Sequence, residues 1–220
     1  GKIPPLHQLD QRLLAPLVPD LGHLLGVARH EGVQAVPEQS RVRAHVADRL
    51  DAAAWTRFQA FAARAGVTAN AALLTVFAEV LAVWSRDSRF TLNLTLFHPL
   101  PVHPKIDEVL GDFTSLTLLE VEVDPARGFR ERARAIQARL WQDIEHGRVS
   151  GVQVMGELAQ ARGRLVLMPV VFTSTLGGSD LAPLMDVLGL RAGHNRTQPP
   201  QTWIDHQVSE YAGELRFLWD

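Results

Sequence analysis

The sequence predicts a mixed α/β fold, and three observations carry that prediction. Segments of polar–apolar alternation (89–97 and 202–211) take turns with segments whose apolar residues recur every three or four positions (52–65 and 125–146). One stretch, Leu165 to Phe172, is nearly all apolar, the pattern of a strand central to a sheet and covered on both faces. Strands and helix pairs follow one another without a strict βα period, so the sheet is expected to be mixed.

The elements follow in order. Residues 6–29 read as one helix or two short ones, with Leu13, Leu14, Leu17, Leu21 and Leu24 near helical spacing and Pro16 and Pro19 breaking it. Residues 31–41 carry Gly32, Pro37 and Ser40 and read as a connector. Val42, Ala44 and Val46 alternate with Arg41, Arg43 and His45, as in a half-buried strand. Asp51 is a good N-cap for a helix from Ala52 to about Ala65, and Gly66 is its stop. Thr68 caps a second helix, Ala69 to about Ser85, whose wide apolar face (Leu73, Leu74, Phe77, Val80, Leu81, Trp84) predicts deep burial.

Residues 89–97 alternate strictly and predict a strand, followed by a stiff loop at Pro99, Pro101 and Pro104. A strand is expected over 113–123, a helix from about Pro125 to His146, and a shorter helix from about Gly151 to Ala161. After the apolar strand 165–172, residues 176–200 are rich in Gly and Pro and read mostly as loop. Two closing strands, 202–211 and 214–219, are joined at Ala212-Gly213 as a hairpin.

Composition narrows the function. The chain has 220 residues, which at about 150 per domain is one large domain or one and a half. Hydrophobic residues make up 46%, enough for a core. Lys and Arg number 22 against 24 Asp and Glu, so the net charge of −2 gives no strong pull toward nucleic acid or an anionic membrane. The absence of cysteine excludes disulfides, thiolate-bound metals and thiol nucleophiles, and fits a reducing, cytoplasmic setting. No apolar run approaches the roughly 18 residues of a membrane span. The start, Gly1-Lys2-Ile3-Pro4-Pro5, has no signal-peptide pattern, and a first residue other than Met points to a piece of a longer chain.

Several familiar chemistries have no motif here: GxSxG, the P-loop, GxGxxG and HExxH are all missing. His98 and His103 are separated by prolines, which rules out a helical metal-binding pair. Asp107, Asp112 and Ser115 spell DxxxxDxxS. The simpler reading is that Asp107 caps a short helix and Asp112 opens the next strand. Helix 127–148 carries six arginines against Glu131, Asp143 and Glu145, which reads either as an ordinary solvated face or as a basic surface for an acidic partner.

Three segments are unlike generic core. Phe90-Thr91-Leu92-Asn93-Leu94-Thr95-Leu96-Phe97 runs through the Pro-rich loop into Gly111-Asp112-Phe113-Thr114-Ser115-Leu116. Met168-Pro169-Val170-Val171-Phe172-Thr173-Ser174-Thr175-Leu176-Gly177 is the second. Gln198-Pro199-Pro200-Gln201-Thr202-Trp203-Ile204-Asp205-His206-Gln207, ending at Leu218-Trp219-Asp220, is the third. In this order and spacing they resemble the heterocyclization domains of nonribosomal peptide synthetases, the cyclizing branch of the condensation-domain family. The resemblance covers residues 41–220 and leaves 1–40 as a helical leader or linker of unclear role.

The resemblance implies a fold and an activity. Such domains have two lobes, each like a chloramphenicol acetyltransferase subunit, with the active-site tunnel between them. All three motifs belong to the C-terminal lobe. The family's own DxxxxDxxS lies in the first lobe, so the match at Asp107–Ser115 is a coincidence of letters. The family joins a carrier-bound acyl group to a carrier-bound Cys, Ser or Thr. The side-chain thiol or hydroxyl then attacks the new amide carbonyl, and water is lost to leave a thiazoline or oxazoline.

By resemblance, Thr173 and Asp205 match the cyclodehydration residues, and Asn93, Gln207 and Gln198 fall in segments associated with substrate positioning. No cofactor is expected to bind directly, since substrates arrive on the phosphopantetheine of carrier proteins. The implied partners are peptidyl or aryl carrier proteins, the N-terminal lobe of the same domain and an adjacent adenylation domain, with neither nucleic acid nor membrane.

The residues support the same chemistry in kind. Loss of water from a tetrahedral hemiaminal needs a proton donor and an acceptor close together. Asp205 suits proton transfer, Thr173 suits hydrogen-bonded positioning, and Asn93 and Gln207 suit orientation of an amide without acting as bases. On the bare pattern, Asp205 alternates with Ile204 and His206 along a strand and is equally compatible with a solvent-facing position.

The chain departs from the family at two places: His98-Pro99 stands where the family has Asn-Arg, and Pro199 stands where it has Thr. These departures sustain an alternative, a degenerate, non-catalytic lobe acting as a docking or structural module of an assembly line. A stand-alone trimeric acyltransferase of this fold would need HHxxxDG, which the sequence lacks.

Overall fold

The computed structural model describes residues 46–85, 87–97, 104–109, 111–177, 182–189 and 201–220. The expected helix 6–29, the connector 31–41 and the first part of the strand at 42–46 lie outside these residues, as do His98, Pro99, His103, Gln198 and Pro199.

Among the described residues, six strands form one sheet. They are β1 (Val46–Leu50), β2 (Arg89–Leu96), β3 (Ser115–Glu122), β4 (Val170–Ser174), β5 (Ile204–Tyr211) and β6 (Glu214–Trp219). Their spatial order is β1-β6-β5-β4-β2-β3. The pairs β1·β6, β5·β6 and β2·β3 are antiparallel. The pairs β2·β4 and β4·β5 are parallel, so the expected mixed sheet is found, with β4 in its interior.

Local chemistry sets the helices. In α1 (Ala52–Ala65) the Asp51 carboxylate accepts the Ala54 N–H at 2.7 Å, and Gly66 ends the helix in the left-handed region at φ 73°. In α2 (Ala69–Trp84) the Thr68 hydroxyl accepts the Ala71 N–H at 3.1 Å. The chain turns by 96° between α1 and α2. The longest helix among the described residues, α3 (Phe129–Glu145), starts four residues later than its pattern suggests. Asp124 accepts the Ala126 N–H at 2.9 Å, forming a turn that delays the helix. The Glu131 side chain then accepts the Gly128 N–H at 3.1 Å. Ser150 caps α4 (Gly151–Arg162), and the short α5 (Ala182–Val187) occupies part of the segment expected to be loop.

The two faces of the sheet are covered differently. One face carries Phe90, Leu92, Leu94, Leu119, Val121, Val170, Phe172, Ile204, Val208 and Leu215, which join Trp55 of α1, Leu74, Phe77 and Leu81 of α2 and Ile136 of α3 in the core. Phe77 lies at its centre, with ring centroids 5.8 Å from Phe172, 4.7 Å from His206 and 5.3 Å from Trp219. Arg132 of α3 and Glu79 of α2 form a largely buried ion pair at 2.6 Å that ties the two helices together. On the other face α4 starts against β3. A Cβ at Gly151 would lie 3.1 Å from the Leu116 carbonyl oxygen and 3.2 Å from Leu118 Cγ, so glycine permits this approach.

Two strand boundaries are corrected. The apolar run 165–172 is a strand only from Val170, and it extends to Ser174. Pro169 has no N–H to give a ladder, and its carbonyl is taken by the Trp203 N–H at 2.8 Å. Val166 and Leu167 are buried without strand pairing, and Leu165 is exposed. At the other end of the chain, β1 continues past Val46 to Leu50, held by β6. The closing hairpin is as expected: Ala212 (φ 51°) and Gly213 (φ 77°) are both left-handed, the geometry of a type I′ turn.

Candidate functional site

The site is a consequence of strand alternation. Because side chains alternate between faces, the odd-numbered residues of β2, β4 and β5 point away from the α1–α2–α3 core. The pairing register then fixes their neighbours. Asn93 lies beside Val171 and Val171 beside Asp205, forming one row across the sheet. Thr95 lies beside Thr173 and Thr173 beside Gln207, forming the next. Thr173, Asp205, Asn93 and Gln207, far apart in sequence, thus share one face of three adjacent strands.

The side chains in these rows are linked. Gln207 Nε2 donates to Asp205 Oδ2 at 2.7 Å. The Thr95 and Thr173 hydroxyls lie 3.0 Å apart. Asp205 is only 4% exposed and Asn93 6%, while Thr173 and Gln207 are half-buried. Asn93 Oδ1 is buried and has no hydrogen-bond partner among the described residues. A buried amide oxygen left unpaired costs about 1–3 kcal/mol. Backbone bonds between Asp205 and Asp220, at 3.0 and 3.1 Å, fix the strand at the carboxylate. The solvent-facing alternative for Asp205 therefore does not hold: it is buried.

His206, next in sequence, points the opposite way. It is 7% exposed and lies among Phe77, Phe172 and Trp219, with Nδ1 3.3 Å from the Leu218 carbonyl. Burial pushes its pKa down to about 4, against the smaller upward effect of the Leu218 carbonyl. It is a neutral core residue and takes no part in the polar face.

The other sequence candidates separate cleanly. Asp112 is exposed and accepts the Thr114 N–H at 2.8 Å, in a turn just before β3. Hydrogen bonds from the Thr114 side chain and backbone hold its carboxyl below its ordinary value. Asp107 lies within a short 3₁₀ turn, Ile106–Glu108, where Lys105 is the capping position. Among the arginines around α3, Arg132 binds Glu79, Arg134 donates to the Ala65 carbonyl at 2.8 Å, Arg139 pairs with Asp143 and Arg127 with Asp124. These contacts favour the ordinary structural reading of that helix. No cluster of metal-ligating side chains exists among the described residues, and no single helix among them is long and apolar enough to cross a membrane.

Sequence reasoning passed over Thr95. The signal was present: Thr91, Asn93 and Thr95 are the polar half of the alternation in β2, opposite Phe90, Leu92 and Leu94.

No family model matches the chain. Relatives and solved structures do. The chain is 42% identical over 190 residues to pyochelin synthetase PchF of Pseudomonas aeruginosa, covering 86% of this chain and 10% of that protein. It is 38% identical over 219 residues to phenyloxazoline synthase MbtB of Mycobacterium tuberculosis, covering 98% of this chain and 15% of that one. The chain therefore spans only a small part of the length of these relatives. Its structure is similar to the EpoB nonribosomal peptide synthetase cyclization-docking bidomain of Sorangium cellulosum, with a TM-score of 0.71 and 36% identity, over 84% of this chain and 38% of that one.

Proposed function

The chain belongs to the cyclization domains of nonribosomal peptide synthetases, as a C-terminal lobe region, and on that premise we propose that its polar sheet face carries out cyclodehydration. The substrate is a carrier-bound amide of Cys, Ser or Thr, and the product is a thiazoline or oxazoline. A first lobe would close the other wall of the site. Peptidyl or aryl carrier proteins would present the substrates on phosphopantetheine, and an adjacent adenylation domain would load one of them.

The observation that carries this reading is the shared face: a buried carboxylate, Asp205, clasped by Gln207 at 2.7 Å, one row from Thr173. In the ring hemiaminal, the C–O bond breaks and its electron pair leaves with oxygen. The nitrogen lone pair forms the C=N bond. One proton leaves nitrogen and one joins the departing oxygen to give water. A carboxyl group that receives the first and gives the second ends unchanged, which is the role proposed for Asp205. Thr173 hydrogen-bonds the departing oxygen. The Asn93 Oδ1 atom, buried with no partner among the described residues, suits acceptance of a substrate N–H.

The test is intact mass spectrometry of carrier-bound product, using the chain together with a first lobe and loaded carriers. Loss of one water from the condensed product, abolished by Asp205→Ala in a folded protein, is the expected result. Ring formation that survives Asp205→Ala overturns the reading. Carrier binding without water loss in the parent protein favours the non-catalytic docking lobe, with His98-Pro99 and Pro199 as its leading explanation.

A further inference from the structure

We infer that Thr95 is a positioning residue that directs the Thr173 hydroxyl toward the substrate, an inference that rests on the cyclodehydration reading above. The two residues are register partners on the parallel strands β2 and β4, and their Oγ1 atoms lie 3.0 Å apart on the polar face. Both are half-buried. Each hydroxyl has one proton to give and two lone pairs to accept with. Two hydroxyls at this distance share one proton, so whichever accepts keeps its own O–H for another partner.

The neighbouring hydroxyls show why this bond is unusual. Ser174 faces the helices and donates to Asn70 Oδ1 at 2.5 Å. Thr175 lies 3.5 Å from the Val208 carbonyl, which can only accept. Thr173 alone of the three has a hydroxyl for a partner, and its bond can run in either direction. When Thr95 donates to Thr173, the Thr173 proton points off the sheet toward the open face. It then donates to the hydroxyl oxygen that leaves as water. β-Branching restricts both side chains at χ1, which holds the pair in place.

Thr95 thus acts through Thr173 and touches no reacting atom. Removing its hydroxyl takes away the donor that orients Thr173, so the Thr173 hydroxyl rotates freely and its proton is no longer held toward the open face. The loss of one such bond corresponds to about tenfold in rate.

The experiment compares Thr95→Val, Thr95→Ser, Thr173→Val and the double valine variant in the chain combined with a first lobe and loaded carriers. Mass spectrometry follows the uncyclized amide and the ring product separately, and thermal melting follows folding. The expected result is about tenfold slower cyclization in Thr95→Val with amide formation unchanged, so that uncyclized amide accumulates. Thr95→Ser should restore the rate, and Thr95→Val should add nothing in the Thr173→Val background. Cyclization at the parent rate in Thr95→Val overturns the inference while the cyclodehydration reading stands. So does a loss that multiplies with that of Thr173→Val, since Thr95 would then act independently. Parent-rate cyclization in Thr173→Val itself overturns the role given to Thr173, and the inference with it.

Discussion

The two faces of this sheet are built from the same strands and obey opposite rules. On the helix-covered face, polar groups are few and their needs are met internally. His206 is neutral and bonded to the Leu218 carbonyl, and the buried Thr75 hydroxyl donates to the Ala71 carbonyl at 2.7 Å. On the other face, Asp205 and Asn93 are as deeply buried as core residues, and Asn93 Oδ1 has no partner among the described residues. Packing optimises the first face. The second keeps polar groups in a desolvated place, which costs stability and makes sense for a site that needs them there.

That contrast predicts that mutations on the two faces separate activity from stability. Asp205→Ala should reduce ring formation by about 10²–10⁴-fold, the range of a lost acid–base group, with little loss of stability in urea denaturation. Unfolding of this variant would mean that the polar face is structural. Phe77→Ala, on the helix-covered side, should do the reverse and destabilise the protein by about 3–5 kcal/mol, read from the same urea curves.

His206 sharpens the comparison through pH. Its folded pKa is lowered from 6.5 to about 4, so between these values the unfolded chain takes up a proton that the folded one refuses. The stabilisation is therefore fully present above about pH 6.5 and is lost as pH falls toward 4, about 3 kcal/mol in all. Denaturation midpoints across this range should fall steeply in the parent and flatten in His206→Phe. The smallest effect is expected at a helix end: Asp51→Ala should cost about 1 kcal/mol by removing the cap on Ala54 N–H, with ring formation unchanged.

What was legible in the sequence was local. Asp51, Gly66 and Thr68 marked the ends of α1 and α2 because capping needs only a few neighbouring residues. The Ala212-Gly213 turn was readable for the same reason. The extent of β4 was not, because apolar character alone does not say where a ladder begins; Pro169 and the partners on β2 and β5 decide that. The resemblance singled out Asn93, Thr173, Asp205 and Gln207, but their juxtaposition depends on two parallel crossings whose register no local pattern encodes. Thr95 was missed for that reason: its partner lies 78 residues away. Nor did the alternation in β5 tell which of Asp205 and His206 faced the helices, since both are buried.

The adjacency of these two residues has a consequence for how the chain tolerates sequence drift. Substitutions along β5 act one residue at a time, but insertion or deletion of a single residue would exchange its two faces wholesale. With one residue inserted ahead of it, Asp205 would be driven into the place of His206 among Phe77, Phe172 and Trp219, and His206 would move into the place of Gln207 beside Thr173. Length changes in this segment should therefore be lethal to the fold where single replacements are not. A deep mutational scan scored on folding would show β5 more tolerant of single replacements than of one-residue insertions or deletions, a rule imposed by pleat geometry.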